Sequence, residues 1–319
     1  MIVLSGVNTS RNFRQCIYQS MNLKEYINEA TIGGAGTASY MSNIESGHSF
    51  TDRNGKRHEN GYRPAGLHAR EKLRTLLDNL IKERGNNGDF NDIDTSEITN
   101  MDELFKGYDK FNGDITGWDT GMVESMSYMF SGAESFNQPI GGWDIGRVED
   151  MSYMFEEART FNQPLSEWNT SKVENMSYMF SGASSFNQSI EGWDTGRVED
   201  MSYMFYEATS FNRPIEKWDT SRVKNMRSMF EDATSFNQLI GVWNMSRVTS
   251  MSSMFRGAIS YNQPIDRWDI SKVKDMRSMF DGAESFNQDL SGWDVSGASN
   301  YKMFSNTKFP DRYKPAGLR

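Results

Sequence analysis

The 319-residue chain has one cysteine, Cys16, so no intramolecular disulfide can form and the redox compartment stays undiagnosed. No apolar stretch approaches the ~20 residues of a membrane-spanning helix. The opening residues Met1-Ile2-Val3-Leu4-Ser5-Gly6 lack the basic segment and long apolar run of a secretory leader. Asn12-Phe13-Arg14-Gln15-Cys16 likewise lacks the small and apolar residues of a bacterial lipid-attachment site. Basic residues are outnumbered: 34 Lys and Arg against 43 Asp and Glu give a net charge of -9. That balance argues against non-specific nucleic-acid binding by the chain as a whole. Mean hydropathy is low, at -0.69, yet the sequence holds 21 Met, 20 Phe and 8 Trp. A disordered chain would be poor in aromatics. The combination suits a thin, elongated core with a large solvated surface.

What is present is a repeat. Eight 25-residue units begin at Met101, Met126, Met151, Met176, Met201, Met226, Met251 and Met276, and no insertion breaks the phase across residues 101–300. All eight tryptophans fall in one column, Trp118, Trp143, Trp168, Trp193, Trp218, Trp243, Trp268 and Trp293. A strict period means that each unit advances equally along an axis and touches mainly its neighbours. Ile93-Asp94-Thr95-Ser96-Glu97-Ile98 matches the second half of a unit, and Tyr301-Lys302-Met303-Phe304 opens a ninth unit one residue early. The sequence thus divides into a non-repeat region (1–85), a repeat region (86–304) and a C-terminal cap or tail (305–319).

Within a unit, Val173, Met176, Met179, Phe180 and Ala183 recur at helical spacing, with Ser171 and Glu174 placed as a capping box. Phe186-Asn187-Gln188-Ser189-Ile190-Glu191-Gly192-Trp193 has the alternation of a short strand and turn. The predicted fold is therefore an α/β solenoid resembling leucine-rich repeats: a right-handed superhelix with one short parallel strand and one short helix per unit. In the first region, Ala69–Arg84 (AREKLRTLLDNLIKER) reads as an amphipathic helix whose face of Leu73, Leu76, Leu77, Leu80 and Ile81 covers the end of the repeat core.

The pattern Phe-Asn-Gln-x-Ile-x-x-Trp-Asp-x-Ser-x-Val-x-x-Met-x-x-Met-Phe-x-x-Ala resembles the BspA-like leucine-rich-repeat proteins, in the variety common among mycoplasma and other bacterial surface proteins. The resemblance covers residues 86–304 and implies a parallel sheet on one side, with a role in adhesion or protein recognition at the cell surface or after secretion.

The Met, Phe and Trp columns read as stacked core. Asp119, Asp144, Asp194, Asp219, Asp269 and Asp294, with Asn169 and Asn244, read as helix N-caps, since Asp and Asn serve nearly equally there. The invariant Asn112, Asn137, Asn162, Asn187, Asn212, Asn237, Asn262 and Asn287 read as a ladder that bonds the backbone of adjacent turns. His48, His58 and His68 have neither helical nor zinc-ligand spacing and read as exposed loop residues. With Asp52, Arg57 and Glu59 they are the material for a small N-terminal active site. Gly33-Gly34-Ala35-Gly36 lacks the Lys-Ser/Thr of a phosphate loop.

Two surfaces remain as candidates. On a helical wheel Tyr128, Tyr153, Tyr178 and Tyr203 align away from the buried stripe, flanked by Glu124, Glu149, Glu174, Glu199, Asp150 and Asp200. In later units Tyr becomes Ser228, Ser253 and Ser278, while Glu becomes Lys224, Thr249 and Lys274. Residues 101–200 hold 6 basic and 18 acidic residues, against 11 and 12 in 201–300, so one half of the array is strongly acidic. The variable columns from Thr116 and Gly117 onward are the second candidate, as the face of the expected strands. The function expected is a non-enzymatic protein-binding scaffold, an adhesin or effector module, with no metal or cofactor and no direct nucleic-acid binding. An acidic mimic of nucleic acid that occupies a DNA-binding protein, and a small N-terminal enzyme targeted by the repeats, are the alternatives.

Overall fold

The computed structural model describes residues 44–66 and 68–318. Cys16, the opening six residues and Gly33-Gly34-Ala35-Gly36 lie outside the described residues. Strands β1 (Ile44–Thr51) and β2 (Arg57–Pro64) pair as an antiparallel hairpin. Its loop closes at Gly55, whose φ of 81° suits a residue without a Cβ, and Asp52 Oδ1 accepts the Lys56 N–H at 2.9 Å. Helix α1 (Ala69–Arg84) follows, with Leu73, Leu76, Leu77 and Leu80 buried in the same core as Phe90, Ile98, Met101 and Phe105. Arg70 and Arg74 on this helix donate to the carbonyls of Asp102 and Glu103 in the first full unit. Those donors serve an end where no preceding unit is available to pair the backbone.

Each later unit is tied to the next through its backbone. The N–H groups of Met126, Tyr128, Phe130 and Gly132 donate to the carbonyls of Asp150, Ser152, Met154 and Glu156 at 2.7–3.0 Å. Between them, Met129, Ser131 and Ala133 donate to carbonyls three residues back, those of Met126, Tyr128 and Phe130. Alternate peptides therefore point along the stack and within the turn, and few backbone groups are left over. Parallel bridges run Asn100↔Ser125↔Asp150↔Asn175↔Asp200↔Asn225↔Ser250↔Asp275. At the last layer Ser278 and Phe280 donate to Tyr301 and Met303, one residue earlier than the period would place them. Phe309, stacked on Phe304 at 4.2 Å, and the Asp294↔Ala316 bridge close that end.

This backbone differs from the expected strand and helix. Among the described residues α1 is the only α-helix and β1 and β2 the only strands; the repeats are consecutive tight turns. Positive φ at Tyr128 (56°) and Gly132 (72°) reverses the chain at every fourth residue, where a right-handed helix would keep φ negative. Burial still falls on Met126, Met129, Phe130 and Ala133, so the turn run and a helix share one apolar stripe. The segment read as a strand also turns, with Trp193 N–H donating to Ile190 O at 3.2 Å. The Asp and Asn column caps turns in place of helices: Asp144 Oδ1 accepts the Gly146 N–H at 3.0 Å, and Asn169 accepts that of Ser171 at 3.2 Å.

The core is a set of parallel side-chain columns. Phe130 stacks on Phe136 within its unit at 4.0 Å and on Phe155 of the next at 5.6 Å. Tryptophans stack at 6.3–6.5 Å in pairs such as Trp118–Trp143 and Trp193–Trp218, and Trp143 Nε1 donates to Ile115 O at 3.2 Å. Asn112 Oδ1 accepts the Asn137 N–H at 2.9 Å, and this bond recurs along the whole column to Asn287. Equivalent rings lie closest on the side tied by the backbone ladder and farthest apart at the tryptophans.

Candidate interaction surface

The residue two beyond each unit's first Met sits on the backbone ladder with φ between 53° and 58°, at Glu103, Tyr128, Tyr153, Tyr178, Tyr203, Ser228, Ser253 and Ser278, as does Lys302, two beyond Asn300 in the partial ninth unit. A left-handed conformation costs a non-glycine residue about 1–2 kcal/mol. Four of these positions carry tyrosine, and their rings stack continuously. Centroids are 4.2 Å apart for Tyr128–Tyr153 and Tyr153–Tyr178 and 4.3 Å for Tyr178–Tyr203, with planes within 10°. Each such contact contributes about 0.5–1.5 kcal/mol, enough to offset much of the backbone strain.

Cations close both ends of the stack. Lys106 Nζ lies 4.1 Å from the centre of the Tyr128 ring, while Arg227 donates from Nε to Tyr203 Oη at 2.7 Å. The ring faces are therefore occupied, and only edges and hydroxyls remain for a partner. Burial, reinforced by the neighbouring phenols, pushes the Tyr153 pKa up, and Tyr178 is pushed up to about 12 for the same first reason. Both hydroxyls stay protonated as donors at neutral pH.

One unit apart along the chain, Glu124, Glu149, Glu174 and Glu199 form a second, exposed row. Glu199 pairs with Lys224 Nζ at 2.6 Å, and this bond holds its carboxyl below the usual range. Asp150 and Asp200 are half-buried and hold their own turns, each Oδ1 accepting the N–H two residues on, from Ser152 and Ser202. The tyrosines and the glutamates thus run as two columns along the stack, while the two aspartates take part in the turns. Beyond Lys224 the stack carries Arg227, Lys274 and Arg277, all exposed or ion-paired at the surface.

The other candidates are placed differently. Thr116, Glu191 and Lys217 lie on turns, Gly141 and Gly142 in the short 3-10 helix Ile140–Gly142, and Lys217 pairs with Glu191 at 3.0 Å. His48 and His58 belong to the hairpin strands and not to loops. His58 is buried, its Nε2 2.8 Å from Asp52 Oδ2, and His48 Nε2 is 3.0 Å from Asp94 Oδ2. Arg57 and Glu59 pair with each other at the surface. His68 precedes α1, 3.8 Å from Glu71. Sequence spacing missed one acidic groove of about 340 Å³, lined by Glu157, Gly182, Glu207 and Asp232. Burial raises the Glu157 and Asp232 pKa values. The signal for it was acid standing where other units have glycine, as at Gly107 and Gly132. Among the described residues no cluster of His, Cys, Asp or Glu is arranged to hold a metal, and no helix is long and apolar enough to cross a membrane.

A stack of near-identical units joined by inter-unit backbone bonds defines a tandem-repeat protein. Residues 75–171, 140–238 and 213–313 each match the model of a family described as Mycoplasma protein of unknown function, DUF285. The chain belongs to that family. No curated protein and no solved structure matches it.

Proposed function

We propose that the stacked units form a solenoid of BspA-like character that acts as a protein-binding scaffold through its tyrosine and glutamate face. The observation that carries this is the replacement of serine by tyrosine at four consecutive left-handed positions. Serine holds the same backbone at 228, 253 and 278, so the turn itself does not require an aromatic. The row of phenol edges beside Glu124, Glu149, Glu174 and Glu199 is the kind of aromatic, charge-rimmed surface that supplies anchor contacts in protein interfaces. Adhesion or recognition at a cell surface is the setting that the repeat resemblance supports, with binding as the activity and no chemical step. Specific residue roles follow: tyrosine hydroxyls donate, glutamates attract basic side chains, and the turn aspartates keep the units in shape.

The test replaces Tyr153 and Tyr178 with Ser, the residue found at this position in later units, together with Glu149→Lys and Glu174→Lys. Proteins captured from host or bacterial extracts by the native chain are expected to be lost with this variant. Retention of every captured protein by a folded variant overturns the assignment to this face.

A further inference from the structure

The face proposed for binding reverses its charge halfway along. Its glutamate column reads Glu124, Glu149, Glu174, Glu199 and then Lys224, Thr249, Lys274. In the neighbouring column Ser127, Ser152, Ser177 and Ser202 give way to Arg227, Ser252 and Arg277. The four acidic residues of one half therefore stand against four basic residues of the other, Lys224, Arg227, Lys274 and Arg277. The tyrosines belong to the acidic half alone.

Where the halves meet, the chain already shows how they bind each other. Lys224 Nζ reaches Glu199 at 2.6 Å, and Arg227 Nε donates to Tyr203 Oη at 2.7 Å with its guanidinium 5.8 Å from the ring centre. Glu199 and Tyr203 are the last acidic and aromatic members of their columns, and Lys224 and Arg227 are the first basic ones. Elsewhere these partners lie too far apart along the stack to meet within one chain. Among the described residues Glu124, Glu149, Glu174, Lys274 and Arg247 have no ion pair.

We infer that this face binds a second copy of the chain, laid antiparallel about a two-fold axis near Glu199 and Tyr203. The inference rests on the binding face proposed above and names its partner. In that arrangement Glu124 and Glu174 of one copy face Lys274 and Lys224 of the other, with Glu149 opposite Thr249. Tyr178 comes opposite the guanidinium nitrogens of Arg227 that Tyr203 leaves unused, and Tyr128 opposite Arg277, which is held within its own chain by Asp275. A two-fold contact uses the same patch on both copies, so every such pairing occurs twice. Like-charge encounters are Glu199 with its symmetry mate, each already holding Lys224, and the exposed basic row, in which Arg222 and Arg247 come opposite Lys172 and Arg147. Parallel pairing would set acid against acid along half the face.

Exposed pairs of this kind are individually weak and screened by salt. The association is therefore expected to be salt-sensitive, weakening about tenfold or more between low and ~0.5 M salt. Sedimentation or light scattering of the full chain over that range reads it directly. The decisive form uses two charge variants: one with Glu124, Glu149 and Glu174 changed to Lys, the other with Lys224, Arg227, Lys274 and Arg277 changed to Glu. Each alone is expected to be monomeric, and an equimolar mixture is expected to pair one to one. A native chain that stays monomeric at every salt concentration overturns the inference, as does undiminished self-association of either variant. Loss of captured proteins in the variant that combines Tyr153→Ser and Tyr178→Ser with Glu149→Lys and Glu174→Lys would then stand independently, leaving the binding face with a different partner.

Discussion

Tyr261 occupies the place that Phe111, Phe136, Phe161, Phe186, Phe211, Phe236 and Phe286 hold in the other units, stacked between Phe236 at 5.8 Å and Phe286 at 5.9 Å. It is fully buried, and its hydroxyl finds no hydrogen-bond partner. Burial raises its pKa well above the ordinary phenol value, so the group stays neutral and contributes only a desolvated dipole. An unsatisfied buried polar group costs about 1–3 kcal/mol. Tyr261→Phe removes it and leaves the ring stack unchanged. Its urea or thermal unfolding midpoint is expected to rise by the corresponding amount, and an unchanged or lower midpoint would show that the hydroxyl is satisfied. The left-handed tyrosines present the opposite balance, since there the side chain adds ring contacts to a backbone that serine also adopts.

At the scale of the element, the single unit shows why the sequence could be read only in part. Its period, its buried columns and the role of α1's leucine face were legible, because burial depends on spacing alone. The backbone path was not. Met126, Met129, Phe130 and Ala133 fall on one side of a helix, and they fall on one side of a run of turns that reverses at Tyr128 and Gly132. Gly107, Gly132, Gly182, Gly257 and Gly282, recurring in one column, were the sign that a helix of this length would be interrupted. The Asp column misled for a related reason, because a carboxylate that accepts the N–H two residues on serves a turn as well as a helix start. The Asn ladder was read from its invariance, and it offers the cleanest test of how units are joined. Asn187→Ala leaves the partly buried Asn212 N–H without its acceptor at 3.1 Å. A loss of about 1–3 kcal/mol in urea unfolding is expected. A loss below ~0.3 kcal/mol would mean that the ladder contributes nothing to cohesion. The tyrosine face was found in the sequence from a helical wheel that the molecule does not contain. It survived because the tyrosines differ from their serine counterparts whatever the backbone does.

For the whole molecule, an array in which each unit touches mainly its neighbours gains stability by addition and loses it from the ends. The hairpin and α1 shield one end, where Leu77 is fully buried and Tyr108 hydrogen-bonds to Asp78. Leu77→Ala is expected to lose about 2–5 kcal/mol locally. Amide exchange should then speed up first at Phe105 and Phe130, and only later at Phe205 and Phe230. Uniform acceleration along the chain would mean that the stack unfolds as one cooperative block.

The tryptophan column has a consequence for light. Parallel indoles held 6.3–6.5 Å apart, as in Trp118–Trp143, Trp193–Trp218 and Trp218–Trp243, couple their electronic transitions and pass excitation from ring to ring. The intact array should therefore show strong near-ultraviolet circular dichroism and depolarised tryptophan emission, both vanishing as the units part. The protein carries its own optical gauge of how many units remain in line.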